Sequence, residues 1–438
     1  MTNEKGQTGI SRRQFVKGAA VLGGAAVANF PLANLALAQS ETVKIGYISS
    51  ITGPRSTFAE PANYNVEKIR ALLKDGIDIG GKKYGVEIIV KDQQSDPKRA
   101  GEVGRDLLVQ DKVDILLADD GDSHFAAGEI ADQQGIPFIS TINQWEPFLA
   151  ARGSTPDKGY PWTFMFAFGA SDLAKNYVGL WNTLKTNKTI GTVYLDIPPG
   201  QAFGSQETGI PHFLKKDGYN IVDGGFVRFD SDDFSSQVAM FKDANCDIVS
   251  GFLLDPHFQT FWGQARQSGF SPKVVTVAAP FLFPTSLEAL GDQGDGMSTE
   301  VWWTPDLPFK SSLTGQTARQ VADDWETETG RQWTQPLGYM HALFEVGLAA
   351  LKGAKDPRDK EGMRAAIRGM ALDTVIGPVN FRDSKIKSVA VTEVAMGQWR
   401  KTKPGSKHMY ELGIVYADPT TSPSIKPNAE MKLLTELG

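Results

Sequence analysis

This chain of 438 residues has a single cysteine, Cys246, so no disulfide can form within it. Catalytic signatures are missing too: there is no G-x-S-x-G elbow, no G-x-x-x-x-G-K-[ST] phosphate loop, no H-E-x-x-H and no C-x-x-C. No G-x-G-x-x-G follows the first predicted strand, which leaves a dinucleotide site without support. The five histidines, His124, His212, His257, His341 and His408, lack ligand spacing and read as surface or capping residues. Positive charge is in deficit, with 45 Lys and Arg against 51 Asp and Glu, which argues against a general nucleic-acid binder. No catalytic residue, metal or cofactor is expected.

What is present begins with Ser11-Arg12-Arg13-Gln14-Phe15-Val16-Lys17, a charged segment ahead of the weakly apolar stretch Gly18 to Leu37. Ala36-Leu37-Ala38 closes that stretch with small residues suited to a signal peptidase, so residues 1–38 read as a leader cleaved after Ala38. The pattern resembles a twin-arginine signal, which implies the twin-arginine export machinery and a periplasmic destination. Asn29, Pro31 and Asn34 interrupt the run and disfavour a bilayer span, and no later segment is apolar enough for one. Gln39 rather than cysteine follows the cut, so no lipid anchor is expected. Removing the leader takes off a net +3 and leaves −9 on 400 residues. That length favours two cores, and a hydrophobic content of 41% suffices to build them.

Strand and helix signals alternate through the rest. Val43–Ser49, Val86–Lys91, Val113–Ala118 and Pro137–Ser140 read as strands. Tyr64–Lys74, a helix opened by Asp96-Pro97, and His124–Gln134 read as the helices between them. The rhythm restarts with the helices Leu173–Leu184, Phe203–Lys216, Phe234–Ala244 and His257–Ser268. Strands at Thr189–Tyr194, Tyr219–Val227, Asp247–Gly251 and Lys273–Val277 interleave with them. Two doubly wound α/β lobes follow from this order. Residues 317–368 are mostly helical, and Thr392–Trp399 with His408–Tyr416 read as a final strand pair.

The densest polar cluster is Asp119-Asp120-Gly121-Asp122-Ser123-His124, between a predicted strand and helix, where open α/β sheets bind ligands. Its spacing matches no calcium loop, and Asp122 or Ser123 suits a helix N-cap. Capping with ligand contact is the preferred reading, and a metal site is the alternative. Phe58, Trp145, Phe281, Phe283, Trp302 and Trp303 gather near predicted strand ends, as core or as ligand wall. Trp145 is favoured because Asn143-Gln144-Trp145-Glu146-Pro147 reads as a strand-end loop. Asp255-Pro256 holds the equivalent loop in the second half, where Asp255 also suits a cap.

Several segments carry a resemblance. Val43-Lys44-Ile45-Gly46-Tyr47-Ile48 with Thr52-Gly53-Pro54, then Lys91-Asp92-Gln93-Gln94-Ser95-Asp96-Pro97 and Gly135-Ile136-Pro137-Phe138-Ile139-Ser140, stand in order. Asp233-Phe234-Ser235, Gln264-Ala265-Arg266-Gln267-Ser268-Gly269 and Val375-Ile376-Gly377-Pro378-Val379 follow. Together they resemble the periplasmic leucine/isoleucine/valine-binding proteins, the type I solute-binding proteins of amino-acid/amide ABC transporters. The resemblance implies two lobes joined by three crossover strands, near Phe166–Phe168, Val301–Thr304 and Gly377–Phe381. Lobe 1 is then 39–166 with 303–376, and lobe 2 is 167–302 with 377–438. It also implies a hinge that closes on a solute, an inner-membrane ABC permease as partner, and a monomer without enzymatic activity.

Carried over residue by residue, the amino-acid clamp is incomplete. The positions that hold a solute carboxylate match Gly121 to Ser123 and Ile142 to Gln144, and an aromatic contact falls on Phe58. The acid that holds the ammonium falls near Pro280-Phe281, where none exists, and a solute-contacting tyrosine falls on Leu254. Asp120 and Asp122 would repel a docking carboxylate. The expected solute is therefore a neutral or cationic organic molecule held by stacking, cation–π contact and carboxylate hydrogen bonds. An amino acid or aromatic acid is second. The candidate ligand-binding residues are Phe58, Asp120, Gly121, Asp122, Ser123, Asn143, Gln144, Trp145, Asp255, Phe281 and Trp302. A sensor of the same fold and an exported metal-dependent hydrolase are the alternative readings.

Overall fold

The computed structural model describes residues 41–121 and 123–437. The leader reading on residues 1–38 and the assignment of Asp122 therefore lie outside the described residues. The first strand, β1 (Thr42–Ser49), has Val43, Ile45, Tyr47 and Ile48 buried, because helices cover both faces of its sheet. It is followed by β2 (Ile77–Ile79), β3 (Lys82–Asp92), β4 (Ile115–Ala118), β5 (Phe138–Ser140) and β6 (Thr163–Ala167). The chain then builds β7 (Thr189–Leu195), β8 (Asn220–Val227), β9 (Ile248–Phe252), β10 (Val274–Ala278) and β11 (Ser298–Val301). The last strands are β12 (Ala371–Thr374), β13 (Gly377–Asn380), β14 (Val389–Val391), β15 (Ala395–Lys401) and β16 (Tyr410–Tyr416).

Two seven-stranded sheets result, ordered β14-β6-β5-β4-β1-β3-β2 and β16-β15-β11-β10-β9-β7-β8. Their cores repeat one plan: β1, β3, β4, β5 and β6 of the first correspond in order to β7, β8, β9, β10 and β11 of the second. Helices join the parallel strands. That at Pro97–Arg105 starts where Asp96 accepts from Lys98 N at 2.7 Å and Arg99 N at 3.0 Å, with Pro97 supplying a preset first turn.

The helix expected over Phe203–Lys216 is two, Pro198–Phe203 and Ile210–Lys216. Pro211 has no N–H to give and fits only a first turn, so the chain breaks ahead of it. The histidine reading also needs correction. His124, His257 and His341 are buried, and His124 packs edge-on against Phe125 and Phe148 at ring distances of 4.4 and 5.2 Å.

The chain passes between the sheets after β6, after β11 and after β14. The third passage, 392–394, lies beyond the expected Gly377–Phe381. Gly377–Asn380 instead folds back antiparallel on Ala371–Thr374, through a turn in which Gly377 takes φ +108°. β14 then pairs parallel with β6, Val389 beside Met165 and Val391 beside Ala167, so the chain is still with the first sheet at Val391. At the second passage the buried Gln335 amide accepts from Trp302 N at 2.6 Å and donates to Glu300 O at 2.8 Å. Trp303 packs so closely on Gly338 that a Cβ there would sit 2.4 Å from the indole. Cys246 is buried, and its thiol is pushed up to about 11 chiefly by burial.

Candidate functional site

A cleft of about 940 Å³, counted to its open mouth, lies between the sheets. Its walls come from the carboxyl ends of β1, β4, β5 and β6 on one side and β7, β9, β10 and β11 on the other, together with their following loops. This is the edge at which open α/β sheets leave space beside their loops. Most of the wall is apolar. The Phe58 ring meets Phe283 edge-on at 5.0 Å and lies near-parallel to Trp302 at 6.3 Å. Trp302, on the second passage, also touches Phe168 on the first at 5.3 Å. Phe203 and Phe252 pack at 5.4 Å on the far side.

Four charged residues border this apolar space: Arg55, Asp119, Asp120 and Glu300. Asp119 accepts from the Tyr47 hydroxyl and from Ser49 Oγ at 2.9 Å, both on Oδ2. Burial, then the neighbouring Asp120, holds its carboxyl well above the usual carboxylate range. Asp120 accepts from Ser123 N and Ser123 Oγ, each at 2.8 Å. Burial raises it as well, partly offset by Ser123 and by the Arg55 charge. Across the cleft, Glu300 Oε2 accepts from the Tyr177 hydroxyl at 2.6 Å and Thr299 Oγ1 at 3.3 Å, and burial pushes its carboxyl up. Each half thus supplies one carboxyl anchored by a buried tyrosine.

Among the residues lining the cleft, two uncharged polar atoms are left without partners: the buried Gln144 Oε1 and Trp302 Nε1. Both side chains are about nineteen parts in twenty buried, at 6% and 5% exposure, and both border the void. A buried polar atom without a partner costs roughly 1–3 kcal/mol. Two cleft residues also hold uncommon backbone: Ile142 after β5 has φ +57° and Ala279 after β10 has φ +83°. They occupy corresponding places in the two sheets, and such strain persists where the surroundings impose it.

Of the residues singled out from sequence, Phe58, Asp120, Gly121, Asn143, Gln144 and Trp302 border the void. Ser123 stands behind Asp120 and caps with it. Trp145 packs with Phe148, Tyr160 and Met165 in a separate small core. Phe281 is core, edge-on to Phe258 at 4.6 Å, because the loop after β10 folds inward. Asp255 opens the helix Asp255–Gln267 and does not border the void. Its carboxyl is raised to about 6 by burial, with Ser286 offsetting a part. Among the described residues, no three His, Cys, Asp or Glu side chains come together to hold a metal ion. Nor is any helix among them long and apolar enough to cross a membrane.

Sequence reasoning missed Arg55 and Glu300. Arg55 follows the Thr52-Gly53-Pro54 turn at the end of β1, a strand-end position like those that were chosen. Glu300 is the one charge in the buried strand Ser298–Val301, and a charge in such a strand was the available signal.

Residues 42–404 match the family model described as periplasmic binding protein. A leucine-binding protein, LivK, from Thermotoga maritima shares the fold with a TM-score of 0.68 at 18% identity, over 86% of this chain and 99% of that one. An ABC-transporter solute-binding protein from Rhodopseudomonas palustris, in complex with 3,4-dihydroxybenzoic acid, gives 0.65 at 19% over 87% and 99%. LivJ from Streptococcus pneumoniae, in complex with isoleucine, gives 0.65 at 18% over 85% and 99%. The family match covers more than half of the chain, and the two-sheet architecture agrees with it. The chain belongs to the periplasmic binding protein family.

Proposed function

We propose that the protein captures a small organic solute between its two lobes in the periplasm and delivers it to an inner-membrane ABC permease, without changing it chemically. The observation that carries this reading is the cleft itself, walled by corresponding strand ends of both sheets and bordered by two buried, unpartnered polar atoms. Such a site is enclosed and apolar, with a few fixed polar groups to orient a guest. The three passages would act as the hinge, as in periplasmic binding proteins generally. The arginine pair at Arg12-Arg13 supports export in the folded state through the twin-arginine machinery.

The solute we favour is neutral or cationic, since three of the four charged groups bordering the cleft are acids. Arg55 favours a second reading, an aromatic or amino acid docked by its carboxylate, in line with the dihydroxybenzoate and isoleucine bound by the two relatives. A thermal-shift screen of the purified protein against a metabolite library tests the function. A true solute at about 100 times its Kd adds roughly 2.7 kcal/mol to stability. A library without any stabilising compound, or a hit recovered in altered form, contradicts the proposal.

A further inference from the structure

The charges and unpaired atoms of the cleft specify more than a small organic guest, provided that the cleft is the solute site just proposed. Arg55 supplies a charge that Asp120 feels, offsetting a part of that carboxyl's rise on burial. Asp119 and Glu300 remain, one from each half, each about 2% exposed and with its hydroxyl donors gathered on a single oxygen. A carboxylate guest would either keep those two carboxyls protonated or, where they ionise, be buried beside two groups of its own sign that water cannot screen. An ammonium guest reverses that interaction and brings N–H donors with nothing to accept, which is what Gln144 Oε1 lacks. The parallel Phe58 and Trp302 rings offer faces to a second ring and to a cation. Trp302 Nε1, a donor only, calls for an oxygen on the guest.

We propose that the solute is a protonated amine on an oxygen-bearing ring, with no carboxylate. Its ammonium lies against Glu300 and Gln144 and its ring against Phe58 and Trp302. Glu300 takes the place of the acid missing at Pro280-Phe281, from one strand further along the sheet. A proton linkage follows. Burial raises the Glu300 and Asp119 carboxyls in the empty cleft, and a bound cation pulls them down. Binding therefore expels protons, and affinity rises with pH as long as the amine stays protonated.

The test uses three probes with one ring and three head groups: tyramine, 4-hydroxyphenylacetamide and 4-hydroxyphenylacetate, titrated calorimetrically into the full chain. Tyramine is expected to bind at least tenfold more tightly than the other two, and to lose at least tenfold in Glu300→Gln. It should also gain affinity as pH rises, with net proton release, for as long as the amine stays protonated. Tighter binding of the amide or the acid overturns the assignment, as does tyramine binding that responds neither to Glu300→Gln nor to pH. Should Glu300→Gln fail to fold, the pH dependence and proton count of the unaltered protein decide. If none of the three binds, the charge of the hit from the library screen decides: a protonated amine supports the assignment and any other class overturns it. A library with no hit removes the solute-binding reading beneath it.

Discussion

Gln144 and Trp302 hold polar atoms buried at a cost and matched by nothing in the protein. A residue kept for the fold alone would be better apolar, whereas one kept for a guest trades stability for affinity. Gln144→Leu should therefore raise the stability of the empty protein by about 1 kcal/mol and weaken solute binding at least tenfold. Urea unfolding paired with titration reads both. Trp302→Phe keeps the stacking face and removes only the donor, so it should cost affinity with little change in fold. Asp255 has the opposite logic. Its carboxyl is raised from 3.8 to about 6, so the folded state holds a proton that the unfolded chain gives up. Stability from this group is full below pH 4 and falls as pH rises through about 6. Asp255→Asn should accordingly stabilise the protein by on the order of 2 kcal/mol near pH 7.5 and by about half as much near pH 5, in unfolding curves at the two values.

Elements set where these residues stand. Strand and helix order was legible because buried parallel strands such as Ile115–Ala118 read as short apolar runs, and capped helices announce themselves, as Asp96-Pro97 does. The third passage was not, because a Gly-Pro strand looks alike whether it crosses or folds back; pairing with Ala371–Thr374 decides, and pairing is non-local. For the same reason the strand-end rule put Phe58, Asp120 and Gln144 beside the cleft but could not tell that Phe281 turns inward and Glu300 reaches it. The first passage carries its own cap. Glu146 accepts from Ala170 N at 2.7 Å and Ser171 N at 2.9 Å, tying the short helix Trp145–Ala150 to the start of Ala170–Asn182. Glu146→Ala removes both acceptors and should cost about 1 kcal/mol in thermal or urea unfolding.

The molecule as a whole sets the carboxyl strand ends of two similar sheets around one cleft, with the chain passing between the sheets three times. The rings of Phe58 and Phe283, from opposite sides, touch at 5.0 Å, so this arrangement has the cleft largely shut. A shut cleft with unpaired polar atoms and buried acids is poorly satisfied when empty, and well satisfied around a fitting guest. Solute and closure are thus coupled: the guest binds the closed form better and draws the population toward it. Small-angle X-ray scattering, with and without a saturating solute from the screen, tests that coupling most directly. The account predicts a free protein more extended than the structure described, and a bound protein whose radius of gyration falls to match it. Identical profiles in the two states, with the solute demonstrably bound, would contradict it.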